Sequence, residues 1–526
     1  MPRTKKPNSD KPKRLRAKPP KSQASLPGLE PPNGGSAPAN GAATSRAHLS
    51  SLIKSARDIM RKDAGLNGDL DRLPQLSWII FLKCFDDLEQ RREAEAVMAG
   101  AGYKPVIPKP LRWRDWAADP DKGRTGPDLI GFVNDTLLPK LRELNGTDER
   151  QVIQEVFRET FNRMLSGYLL RDVVNLMGAV NFNSSDDIHT LSHLYESMLK
   201  EMRDAAGDSG EFYTPRPVVR FIVDRVAPKL GDKVLDPAAG TGGFLVETYA
   251  YLEKQQHTSA DRRTLQSKTL YGVEKKPMPY LLGMINLLLH GLERPNLKRD
   301  NALKTPLKEI GDLERYNVIV TNPPFGGEEE KGIQLNFPEA TRTGETALLF
   351  LQFIMRSLKP GGRCGMVVPN GTLFGDGVAA RVKAALLADF NLHTIVRLPN
   401  GVFAPYTSIP TNLLFFDRPG PTEQIWYYEL PLPEGRKNFT KTQPLQDADF
   451  DECRRQWAAR EAGPQSWLVK GEDVAGNNYN LDIKNPNRAD DYEHLPPEKL
   501  AADILAKEKR IAEIMAGIQT LLKEQH

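Results

Sequence analysis

Between residues 233 and 417 the chain keeps switching between two periodicities, and that alternation constrains the fold more than any other feature. Short β-rich runs, "KVLDP" (233–237), "LYGVE" (270–274), "VIVTNPP" (318–324), "RCGMVVP" (363–369), "HTIVRLP" (393–399) and "TNLLFFD" (411–417), alternate with helical stretches. These stretches read "GFLVETYAYLEKQ", "MPYLLGMINLLLH", "ETALLFLQFIMRSL" and "DGVAARVKAALLADF". Strands joined by covering helices imply an α/β, doubly wound and mostly parallel sheet. Such sheets hold ligands beyond the carboxyl ends of their strands.

The flanking regions follow a different rhythm. From Leu49 to about Lys200, "LIKSARDIM", "LPQLSWIIFLKCFDDLEQRREAEAVM", "RQVIQEVFRETFNRM" and "IHTLSHLYESMLKEM" space apolar residues three and four apart, as amphipathic helices do. Ser185 ahead of Ile188 and Leu191 reads as a helix start, and "AAGDSG" (205–210) reads as a domain junction. A C-terminal helix is expected from Pro497 to about Lys523. Its Leu500, Ile504, Ile511, Ile514, Ile518 and Leu521 form a narrow stripe, interrupted at Lys507, that suits a partner helix in its own chain or in another subunit. The expected organisation is a tail over 1–47, an N-terminal helical domain over 48–204, a catalytic domain over 205–470 and a C-terminal helical extension over 471–526 for subunit contact.

Charge is unevenly divided. Residues 1–45 carry nine Lys/Arg against Asp10 and Glu30, a balance of +7, so the rest of the chain holds −3 of the net +4. The Pro/Ala-rich basic tail is expected to be disordered, serving as a linker or a nucleic-acid arm. The body is not a strongly basic clamp for nucleic acid, and a partner would supply such a surface. Cys84, Cys364 and Cys453 are far apart without a CxxC pair, which suggests neither a disulfide framework nor a zinc site. The sequence has neither an apolar run of membrane-spanning length nor a signal-peptide core, so the cytoplasm is the expected compartment.

In "KVLDPAAGTGGF" (233–244) a strand ends at Asp236, and Gly240, Gly242 and Gly243 permit a tight turn with close backbone approach to a ligand. The spacing is not GxGxxG. The acidic residue ending the next strand, Glu274, lies farther along than a dinucleotide site places it. A carboxylate at that strand tip can accept both ribose hydroxyls of a nucleoside, and S-adenosyl-L-methionine has a ribose without phosphates. Upstream, Pro215 and Pro217 are expected to hold the chain extended before a helix. Glu211, Phe212, Tyr213 and Thr214 are then presented as a loop that could close over the methionine end of such a cofactor.

"VIVTNPPFGG" (318–327) leaves a strand for an amide, two prolines and an aromatic ring. Prolines cannot continue a sheet ladder, so the strand must end at Asn322 and the next residues must form a rigid loop. An exocyclic amine has two N–H donors and a delocalised lone pair. The Asn322 side-chain oxygen and the Pro323 carbonyl can accept both donors, and Phe325 can stack on the base. Glu328 to Glu330 with Lys331 form either a solvated loop or a lid hinged at Gly326 and Gly327. His290 and His393 are expected to be structural.

"DPAAGTGGF", "NPPFGG", "FYTPRPVV", "LLFLQFIMRSLKPGGRCGMVVPNGTLF" and "GVFAPYTSIPTNLLFF", in this order, resemble the methylation (M) subunits of type I restriction-modification systems, which are N6-adenine DNA methyltransferases. The resemblance runs from about Leu49 to the C-terminus. It implies a Rossmann-like methyltransferase domain using S-adenosyl-L-methionine. It also implies a cofactor-binding set of Glu211, Phe212, Tyr213, Thr214, Pro215, Asp236, Ala239, Gly240, Thr241, Gly242, Glu274, Asp300 and Asn301, the last two near the adenine ring. The implied catalytic set is Asn322, Pro323, Pro324 and Phe325, with no metal. The partners it implies are double-stranded DNA, a specificity (S) subunit flanked by two M subunits, and a restriction (R) subunit that can join. The target adenine would be flipped from the duplex.

Other targets with the same donor chemistry stay open, namely cytosine N4 or a protein glutamine, as does a non-catalytic scaffold that binds cofactor or DNA. Cytosine C5 methylation is disfavoured, because it needs a cysteine nucleophile, typically after a proline, and none of the three cysteines follows one.

Overall fold

The computed structural model describes residues 46–180, 214–292, 294–404, 407–440, 442–487 and 497–524. The N-terminal part is built from α1 (Arg46–Met60), α2 (Asp69–Met98), α3 (Asp148–Phe157) and α4 (Gly167–Gly178). Thr147 and Ser166 cap α3 and α4, their hydroxyls accepting the backbone N–H of Arg150 and Leu169. The expected helix over 150–164 stops at Phe157. Arg142 donates to the Phe157 and Thr160 carbonyls there. The chain beyond is then held open, with Asp63 accepting from Leu165 and Ser166 and Gln75 donating to Asn162. The stretch "IHTLSHLYESMLKEM", the Ser185 helix start and the "AAGDSG" junction lie outside the described residues.

The middle of α2 buries Leu76, Trp78, Ile79, Ile80, Phe81 and Leu82 on every side. A helix without a polar face has to lie between two layers. α2 packs against α7 (Pro277–Leu289), whose Leu281, Leu282, Met284, Ile285 and Leu287 are equally buried. The remaining layer helices are α5 (Arg216–Val226), α6 (Gly243–Glu253), α8 (Thr346–Ser357) and α9 (Val378–Asp389).

The sheet has nine strands: β1 (Val234–Asp236), β2 (Leu270–Glu274), β3 (Asn296–Arg299), β4 (Tyr316–Thr321), β5 (Leu358–Pro369), β6 (Asn391–Arg397), β7 (Thr411–Asp417), β8 (Gln424–Glu429) and β9 (Ser466–Lys470). Their order is β3-β2-β1-β4-β5-β7-β6-β8-β9. From β3 to β5 every pairing is parallel, while β7 enters antiparallel between β5 and β6. Side chains alternate between two cores. Val318 and Val320 face the helical layer that includes α7, and Ile319 faces the opposite core with Phe350 and Ile354 of α8.

The mostly parallel doubly wound sheet is therefore present, with additions. β3 escapes a hydrophobic reading because Leu297 is its one buried residue, as suits an edge strand. β8 and β9 extend the sheet past the last expected strand, within the expected 205–470 catalytic domain.

The three cysteines are free and buried, and burial pushes the thiols of Cys84 and Cys453 up to about 12. Among the described residues no helix is long and apolar enough to cross a membrane. α10 (Pro497–Glu524) is a continuous helix on which Ile504, Ile511, Ile514 and Ile518 are exposed, so this stripe is not buried within its own chain.

Candidate active site

Strand order sets the site. β1 lies between β2 and β4, and the direction of winding reverses between β1 and β4, which opens a crevice at their carboxyl ends. β1 exits through Pro237 to Gly242 into α6. Gly240 and Gly242 have φ of 52° and 76°, a region that costs a residue with a Cβ roughly 1–2 kcal/mol. Thr241 between them is half-buried, and its carbonyl accepts from Asn286 of α7 at 2.8 Å. A Cβ added to Gly283 would stand 2.9 Å from Leu297 and 3.1 Å from the Gly240 carbonyl, so α7 can approach the turn only as glycine.

Glu274, at the tip of β2, is almost buried. One carboxylate oxygen accepts the Gly240 N–H at 2.8 Å and the other the Lys276 N–H at 2.7 Å. Ala239 donates to the Val273 carbonyl and Asp300 to the Glu274 carbonyl, each at 2.9 Å, which joins the exits of β1, β2 and β3. Asp300 accepts from Asn301 and pairs with Lys304, and the Asn301 oxygen caps the short turn at Leu303.

Asp236 is 1% exposed. One oxygen accepts the Thr321 hydroxyl at 2.8 Å and the Ala238 N–H at 3.2 Å, and the other has no hydrogen-bond partner among the described residues. Burial, opposed by the Thr321 bond and aided by the nearby Glu274, pushes its pKa up to about 7. The Thr321 bond ties the glycine turn to the end of β4, because Thr321 precedes Asn322.

Asn322 is half-buried, and its side-chain nitrogen donates to the Thr214 hydroxyl at 2.9 Å. Its side-chain oxygen is shielded and without a partner among the described residues. Pro323 is buried and Pro324 and Phe325 are half-buried. The Phe325 ring meets Phe403 edge-on, with centroids 5.8 Å apart at 70°. Phe403 was missed as an individual residue. The one available signal was its place in "GVFAPYTSIPTNLLFF", at the exit of β6. Thr214 also takes a more specific place than a loop over a ligand, as the anchor of the Asn322 amide.

Glu211, Phe212 and Tyr213 lie outside the described residues. Pro215 precedes α5, but Pro217 lies in its first turn rather than in an extended lead-in, where a missing N–H leaves nothing unpaired. The loop after Phe325 is tied down. Thr346 donates to the Gly327 carbonyl, Glu329 donates to the Gly344 carbonyl, and Gln334 donates to the Glu329 carbonyl. His393 is half-buried beside Thr394 and Trp457, and desolvation there holds its pKa down at about 3, so it is a neutral packing residue.

The N-6 DNA methylase family pattern matches residues 186–494, and the HsdM N-terminal domain pattern matches 49–177. The type I restriction enzyme EcoEI methylase subunit of Escherichia coli is 45% identical over 487 residues, which cover 90% of this chain and 97% of that one. A Vibrio vulnificus YJ016 crystal structure, described as a modification subunit of a type I restriction enzyme, is 55% identical with a TM-score of 0.80, covering 87% of this chain and 100% of the other. A chain from work on complex assembly and conformational transition of the type I R-M system is 44% identical with a TM-score of 0.75, covering 92% and 100%.

The sheet order, the glycine turn and the Asn-Pro-Pro-Phe exit thus define a methyltransferase. More narrowly, the chain belongs to the N-6 DNA methylase family, adenine-specific DNA methyltransferases, as a modification subunit of the type I restriction-modification kind.

Proposed function

We propose that this chain transfers a methyl group from S-adenosyl-L-methionine to N6 of an adenine flipped out of duplex DNA, with Asn322, Pro323 and Phe325 holding the base. The observation that carries this reading is the Asn322 amide. Its nitrogen is occupied by Thr214, so its oxygen is left as an oriented acceptor at the exit of β4.

The residues at the exits of β1, β2 and β3 fit the cofactor. Two positive-φ glycines allow close backbone approach, and the unpaired Asp236 oxygen suits a cationic or N–H-bearing ligand group. Glu274 holds the turn through one oxygen and the Lys276 N–H through the other, which fixes a hydroxyl-accepting carboxylate at the tip of β2. Glu274, Gly240 to Gly242, Asp236, Ala239, Asp300 and Asn301, with Glu211 to Pro215, would hold the group, which supplies a methyl already activated on a sulfonium.

The protein's own work is then positioning. The Asn322 oxygen and the Pro323 carbonyl accept the two amine hydrogens and draw the nitrogen from its planar, delocalised state toward a tetrahedral one. Phe325 stacks on the ring and Phe403 backs Phe325. Stacking worth about 1–3 kcal/mol is of the same order as the cost of extrusion, roughly a few kcal/mol. The pocket can therefore hold the base without having to bind it tightly.

Sequence choice falls to a separate specificity subunit, with two modification subunits per specificity subunit, and a restriction subunit can join the assembly. The setting is the cytoplasm. The experiment is transfer of labelled methyl to DNA with and without the specificity subunit, followed by digestion to nucleosides. N6-methyladenine formed in the presence of the partner supports the reading. N4-methylcytosine, or label on protein, replaces it.

A further inference from the structure

We propose that the ion pair between Lys275 and Glu329 is a strap across the cofactor site, which slows exchange of S-adenosyl-L-methionine and couples that site to the catalytic loop. This rests on the function proposed above and concerns the same site. The Lys275 ammonium lies 3.2 and 3.4 Å from the two Glu329 carboxylate oxygens, although the residues are 54 apart in sequence.

Topology gives the contact its meaning. Lys275 directly follows β2 and Glu329 follows β4, whereas β1 lies between those strands. With strands about 4.7–4.9 Å apart, the two exits are separated by the width of β1. A link between the loops that follow β2 and β4 bridges the two sides of the β1 exit, from which the Gly240–Gly242 turn leaves. The strap therefore joins the two loops that flank the Gly240–Gly242 turn.

Both ends are set to transmit movement. Lys275 stands between Glu274, whose carboxylate holds the Gly240 N–H, and Lys276, whose N–H holds the same carboxylate. The Glu329 backbone is fixed through Gly344 and Gln334, and the Glu329 side chain is only 11% exposed. Between it and Phe325 lie Gly326 and Gly327, with φ of 72° and 90°, which can absorb a backbone change. The Lys275 side chain is 50% exposed and is the end free to release. An ion pair with its lysine end half in solvent contributes little to fold stability, so its effect is expected in a rate of ligand exchange and not in melting temperature.

The test is stopped-flow dissociation of S-adenosyl-L-methionine, and of its demethylated product, from the full-length chain at low and high salt. Lys275→Met and Glu329→Gln are expected to release both ligands about threefold to fivefold faster than wild type, the upper range for an exposed pair. Lys275→Arg, which keeps the cation, is expected to release them at the wild-type rate. The wild-type rate should rise with salt, and the rates of Lys275→Met and Glu329→Gln should not. If wild type binds both ligands and the two uncharged variants release them at its rate, the strap is wrong and the proposed function stands. If wild type binds neither ligand, the proposed function itself fails.

Discussion

The Thr214 hydroxyl accepts a hydrogen bond from the Asn322 side-chain nitrogen at 2.9 Å, across 108 residues of sequence. This one contact decides which end of the amide faces the site. A free amide could present either its oxygen or its nitrogen to an incoming amine, and only the oxygen can accept. With the nitrogen engaged, the oxygen is the group that remains.

Removing that anchor should therefore reduce chemistry more than binding. Thr214→Val leaves the amide free to turn over, and loss of one hydrogen bond of about 0.5–1.5 kcal/mol predicts a drop of twofold to tenfold in the single-turnover rate. Thr214→Ser should retain the rate. Cofactor affinity measured by calorimetry should fall less than the rate in Thr214→Val, and an equal loss in affinity and rate would show that Thr214 acts on the cofactor alone.

Asp236 sets a pH dependence. Its pKa is raised from 3.8 to about 7 by burial, so the folded state binds more protons than the unfolded state between those values. Stability must fall as pH rises through that window, and the full penalty is present above pH 7. Asp236→Asn should flatten the slope and stabilise the protein at pH 8 by an amount on the order of a few kcal/mol, while weakening cofactor binding. Thermal melts of both proteins from pH 5 to pH 8 provide the check. A wild-type melting temperature that climbs toward pH 8 would contradict the assignment.

Phe403 supports the Phe325 ring, which the proposed function sets against the base. An edge-to-face pair contributes about 0.5–1.5 kcal/mol beyond its buried area, so Phe403→Leu should weaken capture of the extruded base by twofold to tenfold. A 2-aminopurine placed at the target position reports extrusion by fluorescence. The variant should give a smaller increase than wild type at equal DNA occupancy.

The exposed stripe of α10 has a simple expected consequence. Ile511 and Ile514 are 61% and 54% exposed, so replacing both with Asp leaves the fold and cofactor binding unchanged. The same change should abolish co-purification with a specificity subunit. Retained assembly would move the subunit contact elsewhere.

Much of this was legible in the sequence, because it depended on local chemistry. β2 and β7 occupy the expected residues, and β4 ends one residue before Asn322, since prolines cannot continue a ladder. The glycine turn could be read because Gly240 and Gly242 adopt a backbone region that few other residues enter. What escaped depended on distant partners. Nothing near Thr214 signals Asn322, and nothing near Phe325 signals Phe403. β3 hid behind its polar faces, β8 behind proline-rich surroundings, and the end of α3 at Phe157 is set by Arg142, a residue outside the helix.

The central claim is that the Asn322 oxygen grips the adenine amine, and single-turnover methyl transfer by Asn322→Ala, assembled with its specificity subunit and compared with wild type at saturating cofactor, tests it most directly. By analogy with loss of one preorganised polar group, the rate should fall by roughly 10²–10³-fold, with cofactor affinity nearly unchanged. Transfer at the wild-type rate would contradict the account.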